Sequence, residues 1–247
     1  MSLAGKHAIV TGGSRGIGLA VAQRLAQGGA RVSIVSRSTP VLRQAHDDKW
    51  LFFRAAADVC NESEIRAAFQ ACRDANGPID MLVNNAGIVE SATLARTSSE
   101  MWDRIIATNL TGTFLCTREV IAEMTAARWG RIVNVASTAA LVGAPYIAAY
   151  CASKHGVVGF TRAVAAETAG TGVTVNAVCP GYTETDILRN AIANITAKTG
   201  RDEEETRRLL AANNPQGRIA TVEEVAEAVL MFVEGSQTGE AMTVPMD

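Results

Sequence analysis

The amino-acid sequence predicts an α/β protein built on a parallel β-sheet with helices on both faces. Short β-branched apolar runs alternate along the chain with longer segments in which apolar residues recur at helical spacing. This alternation is typical of a parallel sheet, because parallel strands need crossover connections that are usually helices. The runs are also apolar almost throughout, as expected of strands that are covered on both faces.

The first strand and helix show the pattern most clearly. His7–Thr11 is an apolar run that ends in glycines, and Gly16–Gln27 then places Ile17, Val21 and Leu25 at helical spacing. The other predicted strands are Arg31–Val35, Leu51–Ala57, Ile79–Val83, Arg131–Val135, Val173–Val178 and Ala241–Val244. The other predicted helices are Glu62–Ala75, Ser98–Ala127, Tyr150–Ala169 and Val222–Val233.

Two segments depart from the regular alternation. The long predicted helix Ser98–Ala127 contains Asn109 and Gly112, which we expect to distort it. Asp186–Gly217 is polar, with a charged stretch at Arg201–Arg208, and lies after the sixth predicted strand. Loops at the carboxyl edge of such a sheet commonly form the ligand-binding site. We therefore expect 186–217 to be a substrate lid, with a solvated insertion as the alternative.

Composition narrows the classes of function. The formal net charge of −2 argues against a nucleic-acid-binding surface. Five cysteines without a C-x-x-C pair favour reduced thiols over a disulfide framework or a metal site. Neither a secretory signal nor an apolar run of membrane-spanning length is visible. We therefore expect a cytoplasmic protein with no metal and no membrane partner.

A glycine-rich turn predicts a dinucleotide site. The segment Thr11–Gly18 reads TGGSRGIG and places Gly12, Gly16 and Gly18 between the first predicted strand and the first helix. Backbone without side chains can turn tightly there and approach a ligand. The N–H groups and the positive dipole end of the following helix would face a pyrophosphate. The G-x-x-x-G-x-G spacing differs from the commoner G-x-G-x-x-G.

The residues after the second predicted strand select the cofactor. Enzymes that use NAD place an acidic residue here for the ribose hydroxyls, and that acid would repel a 2′-phosphate. This strand is followed instead by Ser36 and Arg37, and Arg15 in the glycine turn is a second cation. Guanidinium groups bind phosphate through charge-assisted hydrogen bonds. We therefore predict NADP(H), with a solvated charge as the alternative role for Arg37.

A tyrosine and a lysine predict the catalytic chemistry. Tyr150 and Lys154 stand four residues apart in a predicted helix, so both side chains can point into one cleft. A nearby ammonium favours the phenolate and would lower the pKa of the tyrosine toward the working range. Ser137, just after the fifth predicted strand, can hold a substrate oxygen, and Asn109 can anchor a water that relays protons to the lysine.

Taken together and in this order, these motifs resemble the short-chain dehydrogenase/reductase superfamily over essentially the whole chain. The matching residues are Thr11–Gly18, Asp58, Val59, Asn84–Gly87, Asn109, Ser137, Tyr150, Lys154, Asn176, Pro180, Gly181 and Thr185. The resemblance implies a single-domain Rossmann-like doubly wound α/β fold with a seven-stranded parallel sheet over residues 1–247. It also implies a homotetramer.

The resemblance assigns roles to individual residues. Ser137 would orient the substrate oxygen, and Tyr150 would transfer the proton. Lys154 would bind the nicotinamide ribose and lower the tyrosine pKa, while Asn109 would hold the relay water. The implied cofactor contacts are Gly12, Ser14, Arg15, Gly16, Ile17, Gly18, Arg37, Asp58, Val59, Asn85, Ala86, Gly87, Tyr150, Lys154, Pro180, Gly181, Thr183 and Thr185.

Three functions are compatible with these residues. The stretch from Tyr150 to Pro180 resembles β-ketoacyl reductases and polyketide ketoreductases, which favours an NADPH-linked reductase of a 3-oxoacyl thioester or a similar small ketone. The long 186–217 segment resembles hydroxyacyl or hydroxybutyrate dehydrogenases, which favours oxidation of a 3-hydroxyacyl-CoA or a cyclic alcohol. The third is a non-catalytic nucleotide-binding subunit, but such relatives usually lack the tyrosine or the lysine.

Overall fold

The computed structural model describes residues 3–37 and 52–244. The described strands are β1 (His7–Thr11), β2 (Arg31–Ser36), β3 (Phe53–Ala56), β4 (Met81–Asn84), β5 (Gly130–Val135), β6 (Val173–Pro180) and β7 (Ala241–Val244). All pair in parallel, in the order β3-β2-β1-β4-β5-β6-β7. The predicted α/β fold with a seven-stranded parallel sheet is therefore confirmed. Leu51, the predicted start of the third strand, and residues 245–247 lie outside the described ranges.

Helices cover both faces of the sheet. They are α1 (Gly16–Gln27), α2 (Glu62–Asn76), α3 (Ser99–Ile106), α4 (Gly112–Ala126), α5 (Ala148–Glu167), α6 (Asp186–Thr199), α7 (Glu203–Ala212) and α8 (Val222–Glu234). One hydrophobic core joins α1 and α8 to the sheet, and another joins α2, α4 and part of α5 to the opposite face. Every residue of β1 and β6 is buried, which explains their apolar sequences.

Three asparagines, Asn84, Asn134 and Asn176, lie within the buried strands, and each makes side-chain hydrogen bonds. Asn84 of β4 donates from Nδ2 to Oδ1 of Asn134 in β5 at 2.9 Å, and Asn134 donates from Nδ2 to the Thr161 hydroxyl of α5 at 2.8 Å. Buried amides of this kind cost stability unless they are paired. The chain of bonds therefore fixes α5, which carries the predicted tyrosine, against the centre of the sheet.

The order of the strands produces a crevice at the carboxyl edge of the sheet. The chain runs outward from β1 to β2 and β3, then returns to β4 on the other side of β1. Ligands of open α/β sheets bind where the order reverses in this way. The predicted site residues that follow β1, β4, β5 and β6 therefore converge on one edge.

Several predicted elements differ in their bounds from those observed, including two helices that carry predicted site residues. Ser98–Ala127 is not one helix: α3 leads into a π turn at Ala107–Thr111 and then into α4, so the distortion falls at the expected place. The predicted helix Tyr150–Ala169 is α5, which begins two residues earlier and ends at Glu167. The polar segment 186–217 is largely helical, forming α6 and α7 around a small apolar cluster of Leu188, Ile192 and Leu210.

Candidate active site

The glycine turn after β1 lies directly against the turn after β4. Gly12 has φ +65°, and a Cβ on it would lie 2.9 Å from Cα of Ala86. A Cβ on Gly18 would lie 2.4 Å from Nδ2 of Asn85. Both glycines are therefore required by close approach of backbone and side chain, as the sequence pattern predicts for a phosphate-binding turn.

Thr11 and Asn85 hold the two turns together. The Thr11 hydroxyl accepts hydrogen bonds from the N–H groups of Asn85 and Ala86, both at 3.1 Å. The Asn85 amide donates to the carbonyls of Thr11 at 3.0 Å and Gly12 at 3.1 Å. Asn85, predicted to contact the cofactor, therefore uses its amide to fix the glycine turn. Thr11 is part of the glycine-rich motif in the sequence, but the hydrogen bonds of its hydroxyl to the turn after β4 were not predicted.

The N-terminus of α1 is suited to an anionic group. Side chains cap α2, α3, α6, α7 and α8, but no described side chain caps α1, and its first turn contains no acid. The first N–H groups of a helix are without partners unless a cap or a ligand supplies them. Ser14, Gly16 and Ile17 lie in or directly after this turn. The residues present therefore fit the pyrophosphate of a dinucleotide.

Three of the predicted cofactor contacts, Arg37, Asp58 and Val59, lie at the ends of β2 and β3. Arg37 is exposed at the end of β2. Asp58 accepts a hydrogen bond from the N–H of Cys60 at 2.9 Å, which fixes its carboxylate beside β3. Val59 is buried against Gly112, where a Cβ would lie 2.8 Å from Cγ2 of the valine. Val59 thus joins the adenosine end of the crevice to the start of α4.

The turn after β6 is held by a residue that the sequence analysis missed. The strand ends at Pro180, and a Cβ on Gly181 would lie 2.3 Å from Oδ1 of Asn214. The buried Asn214 side chain accepts from the N–H of Tyr182 at 2.7 Å and donates to its carbonyl at 2.8 Å. Asn214 lies just beyond α7, and no motif marks it in the sequence.

Two further predicted cofactor contacts, Thr183 and Thr185, lie between this turn and α6. Thr183 is buried, and its hydroxyl donates to the carbonyl of Gly181 at 3.0 Å. Thr185 is the N-cap of α6: its hydroxyl accepts from the N–H of Leu188 at 3.4 Å and donates to the carbonyl of Thr183 at 3.1 Å. Both hydroxyls are used within the protein, and most main-chain groups of this turn are also hydrogen-bonded, among them the N–H groups of Gly181, Tyr182 and Glu184.

Ser137, Tyr150 and Lys154 lie together between β5 and α5. Ser137 follows β5, and its hydroxyl accepts from the N–H of Ala139 at 3.1 Å. Tyr150 lies in the first turn of α5, and Lys154 follows one turn later on the same helix. The Lys154 ammonium lies 5.8 Å from the centroid of the Tyr150 ring and donates to the carbonyl of Val135 at 2.7 Å.

Burial governs the pKa values of this pair. Desolvation raises the pKa of Tyr150 to about 12, although a hydrogen bond with Ser137 acts in the opposite direction. Desolvation also lowers the pKa of Lys154, which is 5% exposed, to about 8. Desolvation is the largest cause of the shift in the tyrosine, because burial disfavours the charged phenolate. The Tyr150 phenol therefore keeps its proton at neutral pH. The lowering of the tyrosine pKa by Lys154 stays a prediction.

Asn109 is buried in the π turn. Its Oδ1 accepts from the N–H of Ile88 at 2.8 Å, and its Nδ2 donates to the carbonyl of Ile88 at 2.9 Å and to the Ser153 hydroxyl at 3.0 Å. Both amide donors are engaged, so a relay water would have to donate to an oxygen of Asn109. Ser153, inside the Tyr150–Lys154 interval, was not singled out in the sequence.

Gly87 connects Asn109 to the lysine. A Cβ on Gly87 would lie 3.3 Å from Oδ1 of Asn109 and 3.6 Å from Nζ of Lys154. The glycine therefore leaves open the space between the amide and the ammonium. Gly87 also lies two residues after Asn85, which contacts the glycine turn, and beside the side chains of Asn109 and Lys154. The predicted nucleotide and catalytic parts of the site are therefore continuous.

Other kinds of site receive no support in the described part of the chain. Within residues 3–37 and 52–244, no three or more His, Cys, Asp or Glu side chains are grouped to hold a metal ion. None of the described helices combines the length and the apolar character needed to cross a membrane.

Comparisons with known proteins agree with this arrangement. A family model for short chain dehydrogenases matches residues 6–196. The chain is 40% identical over 248 residues to the 3-oxoacyl-(acyl-carrier-protein) reductase of Vibrio cholerae, covering 99% of this chain and 97% of that protein. It is 38% identical over 232 residues to the D-beta-hydroxybutyrate dehydrogenase of Rhizobium meliloti, covering 91% and 90% of the two chains.

A solved structure extends the likeness to three dimensions. The crystal structure of a variant of actinorhodin polyketide ketoreductase with NADPH superposes with a TM-score of 0.91 at 38% identity, covering 97% of this chain and 95% of that one. The predicted family and the predicted enzyme class, an oxidoreductase acting on CH–OH or C=O groups, are confirmed. With its fold, its motifs and its relatives in agreement, this chain belongs to the short-chain dehydrogenase family.

Proposed function

We propose that the protein reduces a ketone to a secondary alcohol with NADPH as the hydride donor and Tyr150 as the proton donor. The observation that carries the proposal is the grouping of Ser137, Tyr150 and Lys154 at the carboxyl edge of the sheet, next to an uncapped helix N-terminus. A 3-oxoacyl thioester or a similar small ketone is the proposed substrate class. The names of the ketoacyl reductase and ketoreductase relatives support that class.

Each catalytic side chain has a separate task. Bound NADPH would supply a hydride to the carbonyl carbon. Ser137 hydrogen-bonds the carbonyl oxygen and orients it toward the phenol. As the carbon–oxygen π pair moves onto oxygen, Tyr150 transfers its proton to that oxygen, which completes the alcohol. The Lys154 ammonium stabilises the phenolate that remains until Tyr150 is reprotonated.

The state of the tyrosine supports reduction over oxidation. With the pKa of Tyr150 raised to about 12 by burial, the phenol holds its proton across the physiological range. Reduction needs that proton, whereas alcohol oxidation needs the phenolate. The second candidate function is oxidation of a 3-hydroxyacyl thioester, which the likeness to D-beta-hydroxybutyrate dehydrogenase favours.

The proposal is tested by following NADPH oxidation with acetoacetyl-CoA, cyclic ketones and quinones. The wild type should turn over at least one ketone, and Tyr150→Phe should lose at least about 100-fold in kcat, the lower range for a general acid. The variant should still bind NADPH, because it lacks only a hydroxyl. Faster oxidation of 3-hydroxybutyryl-CoA than reduction of every ketone would favour the second candidate. Tight NADPH binding without turnover of any substrate would refute both.

A further inference from the structure

An ion pair joins the glycine turn to the first residue of α6. Nη1 of Arg15 lies 3.2 Å from Oδ2 of Asp186, although the two residues are 171 positions apart in the chain. A Cβ on Gly16 would also lie 3.5 Å from Cγ2 of Thr185. The two elements border a cleft of about 300 Å³ whose lining includes Arg15, Asp186 and Glu223. The cation at the entrance to the proposed phosphate site is thus already paired with a carboxylate of the protein.

Asp186 has other partners, whereas Arg15 has this one contact among those described. The second oxygen of Asp186, Oδ1, accepts from Arg189, one turn along α6. The carboxylate also lies in the first helical turn, where the helix dipole favours negative charge. Loss of Arg15 therefore leaves Asp186 paired and in a favourable position. Arg15, 77% exposed in this contact, can rotate toward a stronger anion at small cost.

We propose that Asp186 is a specificity-determining residue, which competes with the 2′-phosphate of the cofactor for Arg15 and so reduces the preference for NADPH over NADH. The proposal rests on the NADP(H) function proposed above. NADPH must replace the Asp186 carboxylate before it gains the full contact with Arg15. NADH carries a ribose hydroxyl in place of the 2′-phosphate and gains little from the guanidinium, so the competition affects its binding less.

The charge of Asp186 should also have an effect that does not distinguish NADPH from NADH. Repulsion between Asp186 and the pyrophosphate would weaken both cofactors equally, since both contain that group. Glu223 lines the same cleft, so removal of its charge measures the general electrostatic effect of one carboxylate in that place. Only the competition for Arg15 should alter the ratio of the two dissociation constants.

The test measures the Kd of NADPH and of NADH by titration calorimetry at low ionic strength, without turnover. Asp186→Asn should tighten NADPH binding by about two- to fivefold, the range that an exposed ion pair represents, and should leave the Kd of NADH nearly unchanged. Glu223→Gln should not alter the NADPH-to-NADH ratio. In an Arg15→Gln background, Asp186→Asn should lose its effect on NADPH, and high salt should reduce the effect in the parent protein.

Two kinds of change in affinity would overturn the inference, as would the absence of any effect of Asp186→Asn. One is a change of the same size for NADPH and NADH, and the other is a gain in NADPH affinity that persists without Arg15. Asp186→Ala serves as a second variant, so that a particular hydrogen bond of the asparagine cannot account for the result. A wild-type protein that binds NADH as tightly as NADPH would contradict the proposed cofactor itself. If the wild type prefers NADPH and Asp186→Asn leaves both dissociation constants unchanged, only the role of Asp186 is contradicted.

Discussion

We expect the choice between NADPH and NADH to depend most on Arg37. It is exposed at the end of β2, the position where NAD-using relatives of this architecture carry an acid. We expect Arg37→Asp to reverse the cofactor preference, because a carboxylate repels a 2′-phosphate and accepts hydrogen bonds from ribose hydroxyls. The measurement is kcat/KM with each cofactor, with Arg37→Gln as the matched neutral variant. Better wild-type kcat/KM with NADH would contradict the assignment.

Lys154 should reduce the stability of the fold at neutral pH. Burial lowers its pKa from 10.5 to about 8, so between those values the unfolded chain binds the proton that the native protein has released. Stability therefore rises with pH across this window, and below it the ammonium costs about 3 kcal/mol. The hydrogen bond from Lys154 to the Val135 carbonyl offsets part of that cost, and any replacement of the lysine loses this bond.

Replacement of Lys154 by methionine tests this balance. Lys154→Met should abolish turnover and raise the free energy of unfolding at pH 7 by about 1–2 kcal/mol, the desolvation gain less one buried hydrogen bond. The difference from wild type should shrink between pH 8 and pH 10. Urea unfolding at several pH values measures both. A variant that is less stable than wild type at pH 7, by an amount independent of pH, would contradict it.

At the scale of elements, α6 and α7 are expected to form a lid that moves. Their shared apolar cluster has only three buried members among the described residues, Leu188, Ile192 and Leu210. Its contact with the turn after β6 is made by the partly buried Tyr182, and Arg207 of α7 also hydrogen-bonds Glu184. A segment with so few buried contacts opens at low free energy. We expect amides of 186–217 to exchange faster than those of β5 and to slow when NADPH and a substrate analogue bind together.

Hydrogen exchange with and without these ligands decides the matter. Protection of 186–217 equal to that of β5 in the free protein, or no gain of protection on binding both ligands, would make the segment a fixed insertion. α8 provides an internal control, since a capping box of Thr221 and Glu224 closes its N-terminus and its apolar side is buried. Its amides should exchange slowly in every state.

The sequence predicted the regular elements better than the long-range contacts. The bounds of α1 and β7 agree with the prediction, because glycines and a clear apolar spacing mark them. The few apolar residues of 186–217 suffice to predict an amphipathic helix or two, but they do not fix the bounds of α6 and α7. Contacts such as Arg15 with Asp186, or Asn214 with Tyr182, join distant parts of the chain. No local pattern encodes those pairings, which appear only when the sheet brings the segments together.

At the scale of the whole molecule, we expect a homotetramer, as the family resemblance implies. The outer sides of α4 and α5 carry aromatic residues: Phe114 is 38% exposed and stacks edge-to-face with Phe160 at 6.3 Å. Arg118 lies over the Phe114 ring at 4.8 Å. Aromatic and arginine side chains are enriched at interface centres, so these helices would pair with those of neighbouring subunits.

Sedimentation velocity at micromolar concentration tests the assembly. The wild type should sediment as a tetramer, and Phe114→Asp should shift it toward smaller species, because a small charged side chain would replace an aromatic one at the expected contact. The matched control is Leu94→Asp, which alters a side chain that is 75% exposed outside α4 and α5. A wild-type monomer would refute the prediction.

The π turn at Ala107–Thr111 has a consequence for how this chain could change. Such a turn amounts to one residue inserted into an otherwise regular helix, and it commonly marks a functional position. Deletion of Asn109 would allow α3 to continue into α4 as one regular helix, with the apolar sides before and after it still in phase. We expect the shortened protein to fold and to be inactive, which circular dichroism and the NADPH assay would show. Deletion of a single codon would thus remove the activity of the protein while the fold is kept.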